Sequence, residues 1–292
     1  MQIQTIGIDD LAACLDLTAD VGWTTPPEIW LLLLRSGKTY GFFDGGALGG
    51  TVLAFPHDGY MFVGMMLVRP RLQRRGYARQ LLEHAISEAH GMPAALLATE
   101  FGAPLYRTLD FTEQGSVVSH SGHWNGPPIN GVRVVTPQAL SDDDRSKMLS
   151  ADATVFGRPR TVLLDALLGA ATRVALTEDA AGAAYAISWQ HGSETHIGPV
   201  IADDDGTAFT LVSALASEAA AECRIRVPRD RFNFRDQLRQ HGLEPIGEVT
   251  FMTRGSRAVA QQIVVRHRAA VHGLGRTPAA RSRLLGACPS SP

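Results

Sequence analysis

A chain of 292 residues, 45% hydrophobic and 19% charged, has room for one large domain or two ordinary ones. That composition excludes a disordered, collagenous or low-complexity protein. The formal net charge of −2 gives no whole-chain field to attract nucleic acid or an anionic membrane. The longest purely apolar run, residues 29–34, falls far short of the roughly 18–20 residues of a membrane span. Asp9 and Asp10 without an early Lys or Arg do not read as a secretory signal. Cys14, Cys223 and Cys288 are far apart and lack metal-ligand spacing, so a reducing cytoplasm is the expected compartment.

Residues 9–35 carry apolar side chains at helical spacing, first Leu11, Cys14, Leu15 and Leu17, then Ile29, Leu32 and Leu33. Pro26 and Pro27 divide them, which predicts two helices with the second starting near Pro27. Asp44-Gly45-Gly46 between apolar runs predicts a hairpin. Residues 60–68 suit a strand buried on both faces. A basic loop follows over 69–78, then a helical stripe over 79–90 through Leu81, Leu82, Ala85 and Ile86. A short buried strand is expected over 94–99 and a short helix over 104–109. The alternation over 111–124 predicts a pair of strands, and the Gly- and Pro-rich residues 125–131 read as a linker.

The second half repeats this order. Helices are expected over 141–150 and 161–171. A hairpin turn at 178–182 leads to Trp189, and a strand through His196 ends at Ile201. A helix over 208–221, a strand over 223–227 and a short helix ending at Gly242-Leu243 follow. The spacing from Val68 to Phe111 nearly equals that from Ile201 to Leu243, which argues for an internal duplication with units at 1–126 and 132–254. Residues 255–292, with Arg257, Arg266, Arg268, Arg276, Arg281 and Arg283, read as a solvated basic tail.

The chemistry concentrates after the strand at 60–68. A helix N-terminus offers unpaired N–H groups and the positive end of its dipole. Gly76 and the small Ala78 let a diphosphate approach that backbone, and Arg74, Arg75 and Arg79 add charge. A phosphate cradle fits these residues; a solvated basic turn is the plainer alternative.

Gln73-x-x-Gly76-x-Ala78, preceded by Val68-x-Pro70 and followed by a leucine-bearing helix, resembles the acetyl-CoA pyrophosphate loop of the GNAT N-acetyltransferase superfamily. Pro104-Leu105-Tyr106-x-x-Leu109-Asp110-Phe111 resembles its second signature, with Asp110 where Gly is usual. The resemblance covers about residues 1–126. It implies an α/β (α+β) fold of tandem GNAT-like repeats, each a mixed, mostly antiparallel twisted sheet flanked by helices. It implies acetyl-CoA as co-substrate, no metal, and direct attack in a ternary complex by a small-molecule primary amine, in a monomer or homodimer. Backbone groups of Met66, Leu67 and Val68 would pair with the pantetheine arm. Gln73, Arg74, Arg75, Gly76, Tyr77, Ala78 and Arg79 would hold the diphosphate, and Tyr106 would serve as general acid to the departing thiolate. Protein-lysine acetylation and a non-catalytic acyl-CoA sensor remain alternatives.

An attacking amine must lose a proton, and Glu100 is the best-placed carboxylate to take it, although a solvated strand-end carboxylate fits equally well. Related two-repeat sequences carry an acid where this chain has Leu97, which leaves the base open. Trp23, Glu28 and Trp30 lie in the region that lines the acceptor pocket in the superfamily; core or hinge roles suit them as well. In the second half, Asp203-Asp204-Asp205 would repel a pyrophosphate, and Leu238 stands where Tyr106 does. That half reads as a degenerate repeat. Its residues 152–160 and 197–200 resemble a bacterial two-repeat GNAT group whose second repeat helps wall the acceptor site. His120 and His123, three apart on a strand, point to opposite faces and are not expected to share a metal.

Overall fold

The structure, a computed structural model, describes residues 2–23, 25–57, 60–127, 129–156, 160–179 and 182–255. The expected basic tail beyond 255, Cys288 and the turn residues 180–181 lie outside these ranges.

The first half runs β1 (Gln4–Ile6), α1 (Leu11–Asp20), α2 (Pro27–Ser36), β2 (Lys38–Asp44), β3 (Ala47–His57), β4 (Tyr60–Val68), α3 (Tyr77–Glu88), β5 (Ala94–Ala98), α4 (Ala103–Arg107) and β6 (Thr112–Gly122). The second runs β7 (Arg133–Val135), α5 (Asp142–Phe156), α6 (Thr161–Ala170), β8 (Arg173–Asp179), β9 (Gly182–His191), β10 (Glu194–Ile201), α7 (Asp205–Ser217), β11 (Cys223–Pro228), α8 (Phe232–Gln240) and β12 (Glu244–Arg254). The element order repeats, as the spacing predicts.

Local chemistry sets most boundaries. Pro27 opens α2, where its missing N–H costs no helical bond. α5 runs past the expected end to Phe156, and its start is capped reciprocally. Ser141 N–H donates to Asp144 Oδ2 at 2.9 Å, and Asp144 N–H donates to Ser141 Oγ at 3.1 Å. Residues 111–124 hold one strand, not a pair. β6 stays extended because both its edges are taken, by β12 on one side and β11 on the other.

The twelve strands among the described residues form one sheet, in the order β1-β2-β3-β4-β5-β12-β6-β11-β10-β9-β8-β7. The final strand of each half is exchanged. β12 inserts between β5 and β6, with Thr250 opposite both Ala98 and Ser116. β6 in turn completes the second half, with His120 opposite Ile225. The ranges 1–126 and 132–254 therefore each supply an edge that the other closes.

The cores record the same exchange. α3 packs Leu81 and Leu82 on Val52, Val63 and Leu96, and Met252 of β12 joins them. α1 and α2 bury Cys14, Leu17 and Trp30 with Leu48 and Leu67. α7 covers Ile197 and Ile225, joined by Val117 of β6. α5 and α6 pack Met148 and Leu164 on Tyr185 and Ile187. α2 also contacts α6, so the two halves meet through helices as well as strands.

A buried polar knot ties α5 to α6 and β9. Asp152, 1% exposed, accepts from Arg160 at 2.7 and 2.5 Å and from the Tyr185 hydroxyl at 3.0 Å. Burial raises the Tyr60 phenol at the start of β4, with Arg160 and Asp152 acting on it in opposite senses, so the knot's field reaches the first half. Among the described residues, no helix is long and apolar enough to cross a membrane.

Candidate functional site

The site begins with an interruption in β4. Its pairing with β3 slips between Thr51 and Leu53, so β4 bulges outward there. Met65 adopts φ +44° at the bulge, and Thr51 Oγ1 donates to its carbonyl at 2.9 Å. On the opposite edge β4 runs parallel to β5 only through Met61–Ala94, Phe62–Ala95 and Val63–Leu96. Beyond these pairs the two strands share no ladder. Leu67 and Val68 keep their β3 partners, Thr51 and Gly50, while their β5 side opens into a gap. Met66 lies within the same unpaired stretch. Unpaired strand backbone of this kind can pair with the amides of an extended ligand.

β4 leads from this gap into the basic loop, where the arginines divide by role. Arg69 is buried and braces the scaffold. Its Nε donates to the Leu48 carbonyl at 2.7 Å and one amino group to Asp20 at 3.0 Å, while the other pairs with Asp16. Burial alone would lower its pKa; the two aspartates hold it above the usual arginine value. Arg71 pairs with Asp44. Gln73 Nε2 donates to the Val68 carbonyl at 3.0 Å and clips the loop to the end of β4. Arg74 and Arg75 are exposed and form no ion pair with a described residue.

Arg74 and Gly76 take φ +61° and +80°. A Cβ at position 76 would meet only Gln80 Nε2, at 3.9 Å, so the backbone angle rather than space calls for glycine there. α3 then starts without a side-chain cap and without an acidic residue in its first turn. Gln80 N–H bonds the Gly76 carbonyl, which leaves the N–H groups of Tyr77, Ala78 and Arg79 at the open helix end. Arg79 is tethered, to Thr108 Oγ1 at 2.6 Å and Glu83 at 3.4 Å. The Tyr77 ring packs on Phe42, and Ala78 packs against the first-half core.

Tyr106 projects from α4 and is 7% exposed. Its hydroxyl forms no hydrogen bond with a described residue, and burial pushes its pKa up to about 12. Glu100 lies in the turn after β5, exposed, next to Phe101, whose ring is largely in solvent.

The three acceptor-pocket expectations separate. Trp23 is 48% exposed between α1 and α2, and Glu28 is exposed in the first turn of α2. Trp30 is fully buried, and its indole N–H donates to Thr18 Oγ1 at 2.8 Å. Helical spacing turns Trp30 toward Leu17 and Leu67, so it belongs to the core and presents no surface to an acceptor.

The second half keeps the gap and loses the cradle. β10 and β11 are parallel only as far as Ile197–Ile225, and the β9 register slips between Ile197 and Val200. The connection to α7, residues 202–204, is much shorter than residues 69–76 of the first half. Asp204 accepts from Thr207 N–H and Thr207 Oγ1, both at 2.8 Å. A side-chain carboxylate thus already occupies the helix end. Leu238 is the counterpart of Tyr106: the N–H of Leu243 bonds its carbonyl at 2.9 Å as that of Phe111 bonds Tyr106 at 3.1 Å. Asp110 takes φ +63° where its counterpart Gly242 takes +92°.

His120 is buried, with Nδ1 3.1 Å from the Leu243 carbonyl and Nε2 accepting from Arg235 at 3.3 Å. Burial lowers its pKa. His123 faces Glu222 at 3.8 Å, so the two histidines serve different partners. Among the described residues, no group of three or more His, Cys, Asp or Glu is arranged to hold a metal. Sequence reasoning missed the Thr51–Met65 bulge, which no residue type announces. It also passed over Arg224 and Arg226, although the alternation Cys223-Arg224-Ile225-Arg226-Val227 sets both on one face of β11.

Comparison with known proteins agrees with this geometry. A family model described as an acetyltransferase (GNAT) domain matches residues 35–113, and a second of the same description matches residues 148–264. The uncharacterized N-acetyltransferase YitH of Bacillus subtilis is 26% identical over 239 residues, covering 80% of this chain and 84% of that protein. A candidate acetyltransferase from Pyrococcus horikoshii superposes with a TM-score of 0.75 at 18% identity, over 90% of this chain and 94% of that one. A tandem GNAT protein from the clavulanic acid biosynthesis pathway gives 0.60 at 15% identity, over 86% and 97%. At such identities the structural likeness is one of fold.

Proposed function

Since the chain belongs to the GNAT acetyltransferase family, with two such domains in tandem, we propose that it transfers the acetyl group of acetyl-CoA to a small-molecule primary amine by direct attack. The observation that carries this reading is a juxtaposition. The β4–β5 gap and the uncapped N-terminus of α3 are joined by one short loop, so a single extended ligand can engage both. In this reading the pantetheine amides pair with the backbone of Met66, Leu67 and Val68. The pyrophosphate rests on the N–H groups of residues 77–79, with Arg74 and Arg75 as counter-charges and Arg79 adding positive charge from its tethered position.

The amine nitrogen attacks the thioester carbonyl carbon; the C–N bond forms, the C–S bond breaks, and the thiolate leaves. Tyr106 donates a hydrogen bond to the sulfur as charge develops on it. Glu100 takes the amine proton, directly or through water. The second half binds no donor and helps to wall the acceptor site, a role that the packing of α2 on α6 supports.

The test is purified protein with acetyl-CoA and a panel of amino acids, polyamines, amino sugars and peptides, with thiol release as readout and donor binding followed by calorimetry. Thiol release with small amines supports the reading. Release with peptides alone points to protein-lysine acetylation. Donor binding without release to any amine points to a non-catalytic acyl-CoA sensor.

A further inference from the structure

One face of the sheet carries a continuous row from the donor gap into the second half. Leu97, beside the last β4–β5 pair, lies opposite Phe251. Phe251, Val249 and Gly247 alternate along β12 on that face, Gly247 lies opposite Ser119, and Ser119 lies opposite Arg226. Opposed residues point the same way, so Arg226 shares a face with Leu97. By the two parallel registers, Arg226 is the second-half counterpart of Leu97. Beside Arg226 the floor is low. A Cβ at Gly247 would meet nothing within 4 Å, and Ser119 is small.

Arg226 is exposed and forms no hydrogen bond or ion pair with a described residue. It is nonetheless crowded: desolvation pulls its pKa below the usual arginine value, and neighbouring Arg224 pushes the same way. Arg224 gives one amino group to Glu194 at 2.6 Å, while its Nε is buried with no hydrogen-bond partner among the described residues. His196 also meets Glu194, at 3.2 Å, and its ring lies 4.7 Å from those of Trp189 and His191. Burial lowers the His196 pKa to about 4, so it adds no charge at neutral pH. Glu194 thus answers Arg224, and among the described residues no carboxylate pairs with Arg226.

We infer that Arg226, backed by Arg224, receives an anionic group of the acceptor, so that the substrate is an amine that also carries a carboxylate or a phosphate. This inference rests on the acetyl-transfer reading above. Arg226 lies three strand spacings across from Leu97, about 14 Å, and four residues along the strands, about 13 Å, so about 19 Å separate the two positions. Less the reach of the arginine side chain, the nucleophilic nitrogen and the anion are separated by on the order of 10–15 Å.

The test uses the full chain with matched acceptors: ω-amino acids of increasing length, the alkylamines lacking the carboxylate, and the ω-aminoalkyl phosphates. Wild type should favour anion-bearing members by tenfold or more in kcat/KM, and the carboxylate and phosphate arms identify the anion. Arg226→Ala should raise KM for these at least tenfold with little change in kcat, collapse the discrimination toward one, and leave acetyl-CoA affinity intact. Arg226→Lys should restore part of the preference. Unchanged KM and discrimination in Arg226→Ala would overturn the inference. If wild type binds acetyl-CoA but releases no thiol with any amine, the transfer reading fails, and calorimetry of the same anionic probes on donor-loaded protein decides the site. Binding weakened by Arg226→Ala then supports it, and no binding, or binding indifferent to the change, overturns it.

Discussion

Tyr106→Phe isolates one hydroxyl at the centre of the proposed chemistry. Burial raises the phenol to about 12, whereas a thiol titrates near ~8.5. Complete proton transfer to the thiolate would therefore run uphill by about 5 kcal/mol. What remains is a hydrogen bond to a group becoming charged, worth about 1.5–3 kcal/mol, or roughly a 10- to 150-fold loss of kcat when it is removed. The donor form of the phenol persists below its raised pKa and disappears only as pH climbs toward about 12. The wild-type and Phe profiles of kcat should thus differ by a constant factor across about pH 6–10. The hydroxyl has no hydrogen-bond partner among the described residues, so its loss leaves no polar group stranded. Tm should move by no more than about 2–4 °C, the equivalent of roughly 1 kcal/mol. Steady-state thiol release over pH, calorimetry with acetyl-CoA and a thermal melt together provide the check. Undiminished kcat would refute the reasoning, as would an alkaline limb near pH 8–9 that vanishes in the variant.

Replacing Arg74 and Arg75 together by Glu should weaken acetyl-CoA binding by about tenfold or more, allowing for solvent screening of two exposed contacts; calorimetry with unchanged affinity would remove the cradle from the account. Asp204→Ala should cost about 0.5–2 kcal/mol of stability as α7 loses its cap, seen as a lowered Tm, with one acetyl-CoA still bound per chain at the original affinity. Saturation at two donors would show that the second half binds one as well. A fragment of residues 1–130 lacks β12 and leaves the edges of β5 and β6 unpaired, so it should aggregate alone and recover when co-expressed with residues 131–292. A soluble, fully active fragment would contradict the strand exchange.

The local vocabulary was legible in the chain itself. Pro27, the Asp44-Gly45-Gly46 turn, the apolar run of 60–68 and the spacing shared by the two halves are signals whose range is a few residues or a simple repeat. The loop around Gly76 was legible for the same reason: φ +80° at an uncapped helix start is a backbone demand that glycine meets. Trp30 was ambiguous because periodicity marks an apolar face but not what that face meets, and only packing on Leu17 and Leu67 put it in the core. Single-chain alternation over 111–124 could not reveal that β6 would find both its partners far along the sequence, in β11 and β12. Arg69 and Arg74 read alike as residues, yet Asp16 and Asp20 occupy the first while the second faces solvent. Backbone propensity and turn chemistry act over a few residues and are written in order along the chain. Strand partners, the bulge at Met65, burial and the pairing of charges depend on segments distant in sequence, and only the folded sheet brings those together.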